Sequence, residues 1–376
     1  MMTDDDDVLP LPSLLEAWRP PVGGRRSLRG ASLRLSAGQG KGMPRESARA
    51  KLARIVRKAP EVVVKVSGRQ YGAGHVSANL EYIGRHGKLE VETGDGERIT
   101  SVGGLRALAA EWEALDDATN RGKRRPTSIS MALSMPKGTD PDIVHDAARA
   151  FARVELSERF SYAMALHTDT AQPHVHITVA AEGVEGVRFN PRKADLHAFR
   201  ESFAHELRAR GVACEATPRR ARGIVRKADP SAVRHIELRT KRRPDSRGGE
   251  SVHQRRRTRD EAARIARAPQ PDYRPQDDQA LRRQQAIRNA YEEAARALEG
   301  SGRPEDRTLA AEVRTFVADM PLPLSRRLAL AVEIGQRDRR AIGQGSGPDR
   351  DRAGEKPARA VDPRKPPAGQ GPRRRR

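Results

Sequence analysis

The sequence predicts an α+β fold in which helices pack on an antiparallel sheet. Segments with the two-residue alternation of strands interleave with segments of helical periodicity. The last two strand segments, 160–167 and 174–181, are separated by so short a loop that they should pair as a hairpin. Only 36% of the 376 residues are hydrophobic and 3% aromatic. A compact core is therefore not expected to extend along the whole chain.

Glycine, proline and aspartate mark several ends of the predicted elements. Gly87 and Gly211 each follow a helical pattern, and Asp140 with Pro141 supplies an N-cap and a first-turn proline. In chain order, the predicted elements are a strand at 61–66, helices at 73–85 and 105–115, a strand at 128–135, a helix from 141 to about 154, strands at 160–167 and 174–181, and a helix at 195–210.

Composition divides the chain into five segments. Residues 1–58, rich in Pro, Gly, Arg and Ser, are expected to form a flexible leader, and 59–227 to form the ordered domain. Residues 228–275 are expected to be a basic linker. Residues 276–342 have helical character, and whether they fold by themselves is open. Residues 343–376, rich in Gly, Pro and Arg, are expected to be a disordered tail.

The charge balance predicts a polyanionic partner. Lys and Arg number 72 against 50 Asp and Glu, a net charge of +22. Nucleic acid is favoured over an anionic membrane surface, because no basic amphipathic helix with a bulky apolar face is evident. The side chains expected to follow a DNA backbone are Lys65, Lys88, Arg219, Arg220 and Arg222.

Cysteine use and the N-terminus favour a cytoplasmic protein. Cys214 is the only cysteine, so an internal disulfide and a thiolate metal cluster are both excluded. No run of about 18 apolar residues predicts a membrane span. The acidic start lacks the pattern of a signal peptide, and Met43 is an alternative start.

The most specific motif is a set of three histidines around the predicted hairpin. His174 and His176 are two residues apart on a strand, so both side chains point to one face. The six-residue loop before them brings His167 across to the same face. Three neutral imidazoles suit a divalent cation with open positions, and Asp169 in the loop can orient a histidine or act as a base. Two exposed surface histidines without a metal are the alternative.

A tyrosine on the first predicted helix is the candidate nucleophile. At about 100° per residue, Tyr82 lies well outside the apolar stripe, on the flank that also carries His75, Asn79 and His86. Its hydroxyl should therefore point outward among polar groups. Tyr71, in a glycine-rich turn, is the rival nucleophile, whereas Tyr162 is expected to pack in a core row. The apolar stripe of this helix consists of Ala73, Val76, Leu80 and Ile83.

Three stretches of the chain together resemble the relaxases of mobilisation proteins, which belong to the HUH endonucleases. The likeness is closest to the P-type mobilisation branch that includes the T-DNA border endonuclease, and it covers about residues 60–227. The stretches are Leu80-Glu81-Tyr82-Ile83-Gly84-Arg85-His86-Gly87-Lys88-Leu89-Glu90, the histidine segment from His167 to Val179, and Ala216-Thr217-Pro218-Arg219-Arg220-Ala221-Arg222-Gly223-Ile224.

The resemblance implies a fold and a role for each site residue. The fold would be a central antiparallel sheet of about five strands with helices against it. Tyr82 matches the nucleophile, and His167, His174 and His176 match the ligands of a divalent metal ion, Mn²⁺ or Mg²⁺. Asp169 matches an acidic residue near the metal that accepts a proton or orients a ligand.

The activity implied by the resemblance is that of a conjugative relaxase. Such an enzyme nicks single-stranded DNA at an origin of transfer and forms a 5′-phosphotyrosine. Implied partners are accessory relaxosome proteins and a type IV coupling protein, and the protein itself would be translocated with the DNA. The arginine-rich end would be a secretion signal or simply a DNA-binding tail.

Three other functions remain alternatives. A rolling-circle replication initiator shares the histidine pair and the tyrosine chemistry, but such proteins usually place the tyrosine after the histidines. Here Tyr82 precedes His167, which favours a relaxase. A metal hydrolase without a covalent step, and a non-catalytic DNA-binding protein, are the other two.

Overall fold

The computed structural model describes residues 12–19, 47–119, 125–224, 251–268 and 274–345. The expected disordered tail lies outside the described residues, apart from its first three positions, and so does most of the expected basic linker. The chain divides into two compact units. The first comprises 1–245 and 273–325, and the second comprises 246–272 and 326–376.

The first unit is built on a six-stranded sheet in the order β1-β4-β6-β5-β2-β3. Each neighbouring pair is antiparallel. The predicted α+β class is therefore confirmed. The sheet exceeds the expected five strands because of a hairpin whose strands, two and three residues long, are too short to show alternation. The strands are β1 (Val63–Gln70), β2 (Val91–Thr93), β3 (Arg98–Ile99), β4 (Ser128–Ser134), β5 (Tyr162–His167) and β6 (His174–Ala180).

Helices α3 to α6 lie close to the four helical segments expected between residues 73 and 210, whereas α7 lies within the segment expected to be a basic linker. Turns of 3-10 helix are found at Val184–Gly186 and Arg219–Arg222. Asp140 caps its helix as expected, because its side chain accepts a hydrogen bond from the Asp142 backbone N–H at 2.9 Å. The described helices are α1 (Pro12–Trp18), α2 (Ala48–Val56), α3 (Gly72–Ile83), α4 (Val102–Thr119), α5 (Pro141–Glu155), α6 (Lys193–Ala209), α7 (Ser251–Arg267), α8 (Pro275–Gly300), α9 (Pro304–Ala318) and α10 (Arg326–Gly345).

Each face of the sheet is covered by two helices. Helices α5 and α6 bury one face, with Phe151, Phe199 and Phe203 packed on the inward rows of β4, β5 and β6. Helices α3 and α4 cover the other face, where Leu80 and Trp112 meet alanines of β5. Each such large apolar side chain stabilises the fold by about 1.5–3 kcal/mol on burial. Packing on this second face holds α3 against β5, one of the strands that carry the histidines.

The end of α3 differs from its expected position at residue 85. The helix ends at Ile83, and Arg85, His86 and Gly87 all have left-handed backbone conformations. The Leu89 backbone N–H bonds back to the Gly84 carbonyl at 3.0 Å. This tight reversal folds the segment after Tyr82 back beside the sheet, which periodicity alone does not predict.

The expected flexible leader contains two packed helices. Leu14 and Trp18 of α1 and Ile55 of α2 are buried in one cluster with residues of α8 and α9. The Tyr291 hydroxyl of α8 donates to the Ala221 carbonyl at 2.6 Å, and the Trp18 indole N–H donates to that hydroxyl at 3.3 Å. The apolar positions of α1 and α2 complete a core whose other half lies more than 200 residues away, so local composition gave no indication of packing.

In the second unit, α7 and α10 pack against each other. Ala262, Leu328 and Ala331 are buried, and the buried Arg327 guanidinium lies 3.9 Å from the Glu261 carboxylate. None of the helices in the described part of either unit has the length and hydrophobicity needed to cross a bilayer.

Candidate metal centre and tyrosine

Three imidazoles converge on the sheet face that α3 and α4 cover. In the β5–β6 register His167 lies opposite His174, and His176 lies opposite Ala165. The ring centroids are 4.7 Å apart for His167 and His176, 5.1 Å for His174 and His176, and 5.2 Å for His167 and His174. One ring nitrogen from each histidine lies within 4.8 Å of the others. The convergence follows from the alternation of side chains along two paired strands.

Two alanines flank the imidazole of His176 and leave room for the three rings. His176 lies between Ala132 of β4 and Ala165 of β5 in the same row of the sheet. A larger residue at either alanine would occupy the volume in which the three rings meet.

Backbone carbonyls fix the protonation of two rings. The His167 Nε2–H donates to the Ile83 carbonyl at 2.7 Å, and the His174 Nδ1–H donates to the Gln172 carbonyl at 3.1 Å. Because a carbonyl can only accept, the lone pairs lie on His167 Nδ1 and His174 Nε2. Hydrogen bonds of this kind orient histidine ligands in metal sites.

Burial and neighbouring positive charge favour neutral imidazoles. Burial lowers the pKa of His176 to about 4, with further lowering from the other two histidines and from Lys65 and Arg85. Burial also lowers the pKa of His167. Neutral imidazoles with free lone pairs are the form that binds metal ions, so the cluster is suited to hold a divalent cation.

Tyr82 lies beside this cluster. Its side chain is 59% exposed, although Leu80 and Ile83 of the same helix are fully buried. Its ring centroid is 5.8 Å from that of His176 in an edge-on arrangement, and 6.3 Å from that of His167. Tyr82 therefore points away from the apolar stripe of α3, as its position in the helix predicts, and its phenol lies next to the imidazoles.

Tyr71, Tyr162 and His75 lie away from the imidazole cluster. Tyr71 occupies the N-cap position of α3, about 16 Å along the helix axis from Tyr82. Tyr162 packs in the core of the opposite sheet face, as expected, and burial raises its pKa. His75 is two helical turns before Tyr82, about 10 Å along the axis, and its Nδ1 bonds the Tyr71 carbonyl.

Asp169 contacts an arginine and not a histidine N–H. Its Oδ2 lies 2.5 Å from Nη2 of Arg85, whereas its Oδ1 is 3.9 Å from His167 Nδ1, too far for a hydrogen bond. The group that orients His167 is the Ile83 carbonyl, not Asp169 as the sequence suggested. The hydrogen bond from Arg85 lowers the pKa of Asp169, which makes this carboxylate a weak base.

Arg85 is a site residue that sequence reasoning missed. Its Nη2 lies 3.5 Å from His167 Nδ1, and its side chain is 38% exposed. The residue stands inside the tyrosine motif, but it reaches the histidines only through the left-handed reversal after α3. The two flanking glycines, Gly84 and Gly87, were the one available indication of that turn.

The basic residues expected on DNA fall into two groups. Lys65 is exposed on the edge strand β1, in the row that continues through Ala132 to His176. Arg222 instead pairs with Glu61 at 3.0 Å, and Arg220 donates to the Arg19 carbonyl at 2.6 Å. Both arginines therefore make contacts within the protein, and their expected role on DNA stays a prediction.

Comparison with known families identifies the domain. Residues 82–211 match the family model described as Relaxase: MobA/VirD2-like, nuclease domain. The matched segment begins at Tyr82 and includes all three histidines. This match supports the predicted relaxase family for this part of the chain, and with it a relaxase-type DNA-nicking function. No curated protein matches the chain.

Proposed function

We propose that the protein nicks one DNA strand at an origin of transfer, with Tyr82 as the nucleophile. The observation that carries the proposal is the position of the Tyr82 ring, 5.8 Å and 6.3 Å from two of the three imidazoles. A phosphate held over the histidines would lie within reach of the phenol. The family match supports a nicking enzyme, and the tyrosine geometry supports a covalent route.

The reaction exchanges one phosphodiester bond for another. The Tyr82 oxygen loses its proton and forms a bond to phosphorus, while the bond from phosphorus to the 3′ oxygen breaks. The 3′ oxygen takes a proton and leaves as a 3′-hydroxyl, and the 5′ phosphate stays on tyrosine. Because the bond energy is retained, the reverse step can rejoin strands without ATP. Tyr82 is exposed, so its proton can pass to water.

His167, His174 and His176 would hold the metal ion. When bound there, a divalent cation supplies positive charge to the scissile phosphate oxygens. A ligand set of imidazoles without a carboxylate favours Mn²⁺ over Mg²⁺, since Mg²⁺ prefers oxygen ligands.

Arg85 and Asp169 act as a pair in this proposal. Asp169 fixes the Arg85 guanidinium beside His167, where it can bind a phosphate oxygen of the substrate. The low pKa of Asp169 makes this holding role better supported than proton transfer. Lys65, on the other side of His176 along the sheet row, would contact a neighbouring phosphate.

The family match and the net charge support a proposal for the biological process and the partners of the protein. We propose conjugative mobilisation of a plasmid or integrated element, with accessory relaxosome proteins and a type IV coupling protein as partners. The net charge of +22 supports a nucleic-acid substrate. The arginine-rich end is assigned to secretion or to DNA affinity in this proposal.

The test uses single-stranded oligonucleotides from the candidate origin, labelled at the 3′ end and incubated with Mn²⁺. A relaxase transfers the 3′-labelled fragment to protein, and protease treatment removes the slow-migrating band. Tyr82→Phe should abolish the band, and Tyr71→Phe, the matched control at the N-cap of the same helix, should leave it intact. Cleavage that survives in Tyr82→Phe would instead indicate a metal hydrolase. Binding without cleavage, unchanged by His174→Ala, would indicate a non-catalytic DNA-binding protein.

A further inference from the structure

A buried hydrogen-bonded group joins the tyrosine helix to the sheet. The Asn79 Oδ1 of α3 accepts from the Ser130 hydroxyl of β4 at 2.8 Å and from the Thr178 hydroxyl of β6 at 2.7 Å. The two hydroxyl oxygens are 3.2 Å apart, and both residues are almost fully buried. One side-chain carbonyl thus accepts from two buried hydroxyls, and a shift of α3 would break both hydrogen bonds, which makes its position costly to change.

This group adjoins both halves of the candidate site. Asn79 lies one helical turn before Tyr82, and Thr178 follows His176 on the same face of β6. On the other side of Tyr82, the Ile83 carbonyl accepts the hydrogen bond from His167. The phenol is therefore bracketed by two polar attachments, and each connects α3 to a strand of the histidine hairpin.

We infer that Asn79 is a positioning residue that sets the distance between the Tyr82 hydroxyl and a phosphate at the histidines. The inference rests on the proposed function of Tyr82. The apolar stripe of α3 holds the helix on the sheet, but side-chain packing permits small rotations and slides. A directional hydrogen bond to two neighbouring strands removes that freedom at the turn that carries the nucleophile. A displacement of about 1 Å can cost up to about 10²-fold in rate.

The kinetic experiment compares Thr178→Val with Thr178→Ser. Valine keeps the shape of threonine and removes the hydroxyl, whereas serine keeps the hydroxyl. The matched control is Ser128→Ala, because Ser128 is also buried on β4 and bonds a side-chain carbonyl, but that of Gln70 on β1 at 2.9 Å and not that of Asn79. Thr178→Val should lower kcat for nicking by about 10-fold or more with little change in KM, and Thr178→Ser and Ser128→Ala should keep kcat.

A spectroscopic readout tests the same inference without depending on nicking. With 3-fluorotyrosine placed at residue 82, the ¹⁹F resonance reports the ring environment set by His167 and His176. It should move towards the free amino-acid value in Thr178→Val and Ser130→Ala, and stay unchanged in Ser128→Ala. Equal kcat and equal ¹⁹F shifts in all variants would overturn the inference and leave the proposed function intact. A shifted resonance without any tyrosine adduct in wild-type protein would instead uphold the positioning contact and refute the function.

Discussion

The His167 Nε2–H donates a hydrogen bond of 2.7 Å to the carbonyl oxygen of Ile83, the residue directly after Tyr82. This contact joins the last turn of α3 to the histidine hairpin, and it satisfies a helix-end carbonyl that has no partner within the helix. It also places the lone pair of His167 on Nδ1, the nitrogen that lies 3.5 Å from Nη2 of Arg85. One hydrogen bond thus orients a candidate metal ligand and holds the candidate nucleophile beside it.

The histidine cluster should bind Mn²⁺ with all three rings. We expect His176→Ala to weaken Mn²⁺ binding at least about 10-fold, because the central imidazole is lost. Isothermal titration calorimetry on the DNA-free protein measures this directly. His75→Ala is the control, since His75 is exposed on α3 and lies outside the cluster. Equal affinities in both variants would contradict the assignment of the site.

Arg85→Ala should reduce nicking without reducing stability. The Arg85–Asp169 pair is partly exposed at both ends, so its loss should leave the Tm almost unchanged. The missing guanidinium should lower kcat/KM by about 10-fold, and lysine should not restore it, because lysine cannot present a planar fork. Arg106→Ala is the matched control: Arg106 of α4 pairs with Glu81 of α3 at 2.9 Å. A comparable loss in that control would argue against a specific role for Arg85.

Lys65 should contribute one phosphate contact. We expect Lys65→Ala to weaken single-stranded DNA binding and to reduce the slope of log K against log salt by about 0.7. Fluorescence anisotropy across a salt series measures the slope. Arg98→Ala, on strand β3 at the opposite edge of the sheet, should leave it unchanged. If both variants reduce the slope equally, positive charge attracts DNA from either edge of the sheet, and Lys65 makes no specific phosphate contact.

Tyr291→Phe should destabilise the cluster in which α1 and α2 pack with α8 and α9. The Tyr291 hydroxyl is fully buried and bonds the Ala221 carbonyl and the Trp18 indole. Removal of the hydroxyl leaves both groups without this hydrogen bond, which should lower the free energy of unfolding by about 1–3 kcal/mol. Urea denaturation measures the free energy of unfolding, and the exposed Tyr71→Phe serves as the reference. A change near zero would mean that this hydroxyl does not hold α1 and α8 together.

The central features of the site follow from local periodicity. The two-residue spacing of His174 and His176 placed both rings on one face, and the short loop placed His167 opposite them. The helical phase of Tyr82 relative to Leu80 predicted its outward direction. Such patterns are set by backbone geometry, which is the same in every strand and helix.

The features that were missed depend on contacts between distant segments or on a local reversal. The Arg85–Asp169 pair joins residues that only the left-handed turn after α3 brings together. The bond from His167 to Ile83 involves a backbone carbonyl, which leaves no mark in sequence. The packing of Trp18 against Tyr291 joins residues that are 273 positions apart, and the composition of neither segment reveals the core.

The most direct test of the account is the identity of the residue that carries the DNA. The tryptic peptide from Gln70 to Arg85 contains both Tyr71 and Tyr82. Tandem mass spectrometry of this peptide, after nuclease trimming of the adduct formed with Mn²⁺, distinguishes the two. We expect a nucleotide joined through its 5′ phosphate to the Tyr82 oxygen. The same modification on Tyr71, or an unmodified peptide from protein that has nicked its substrate, would contradict it.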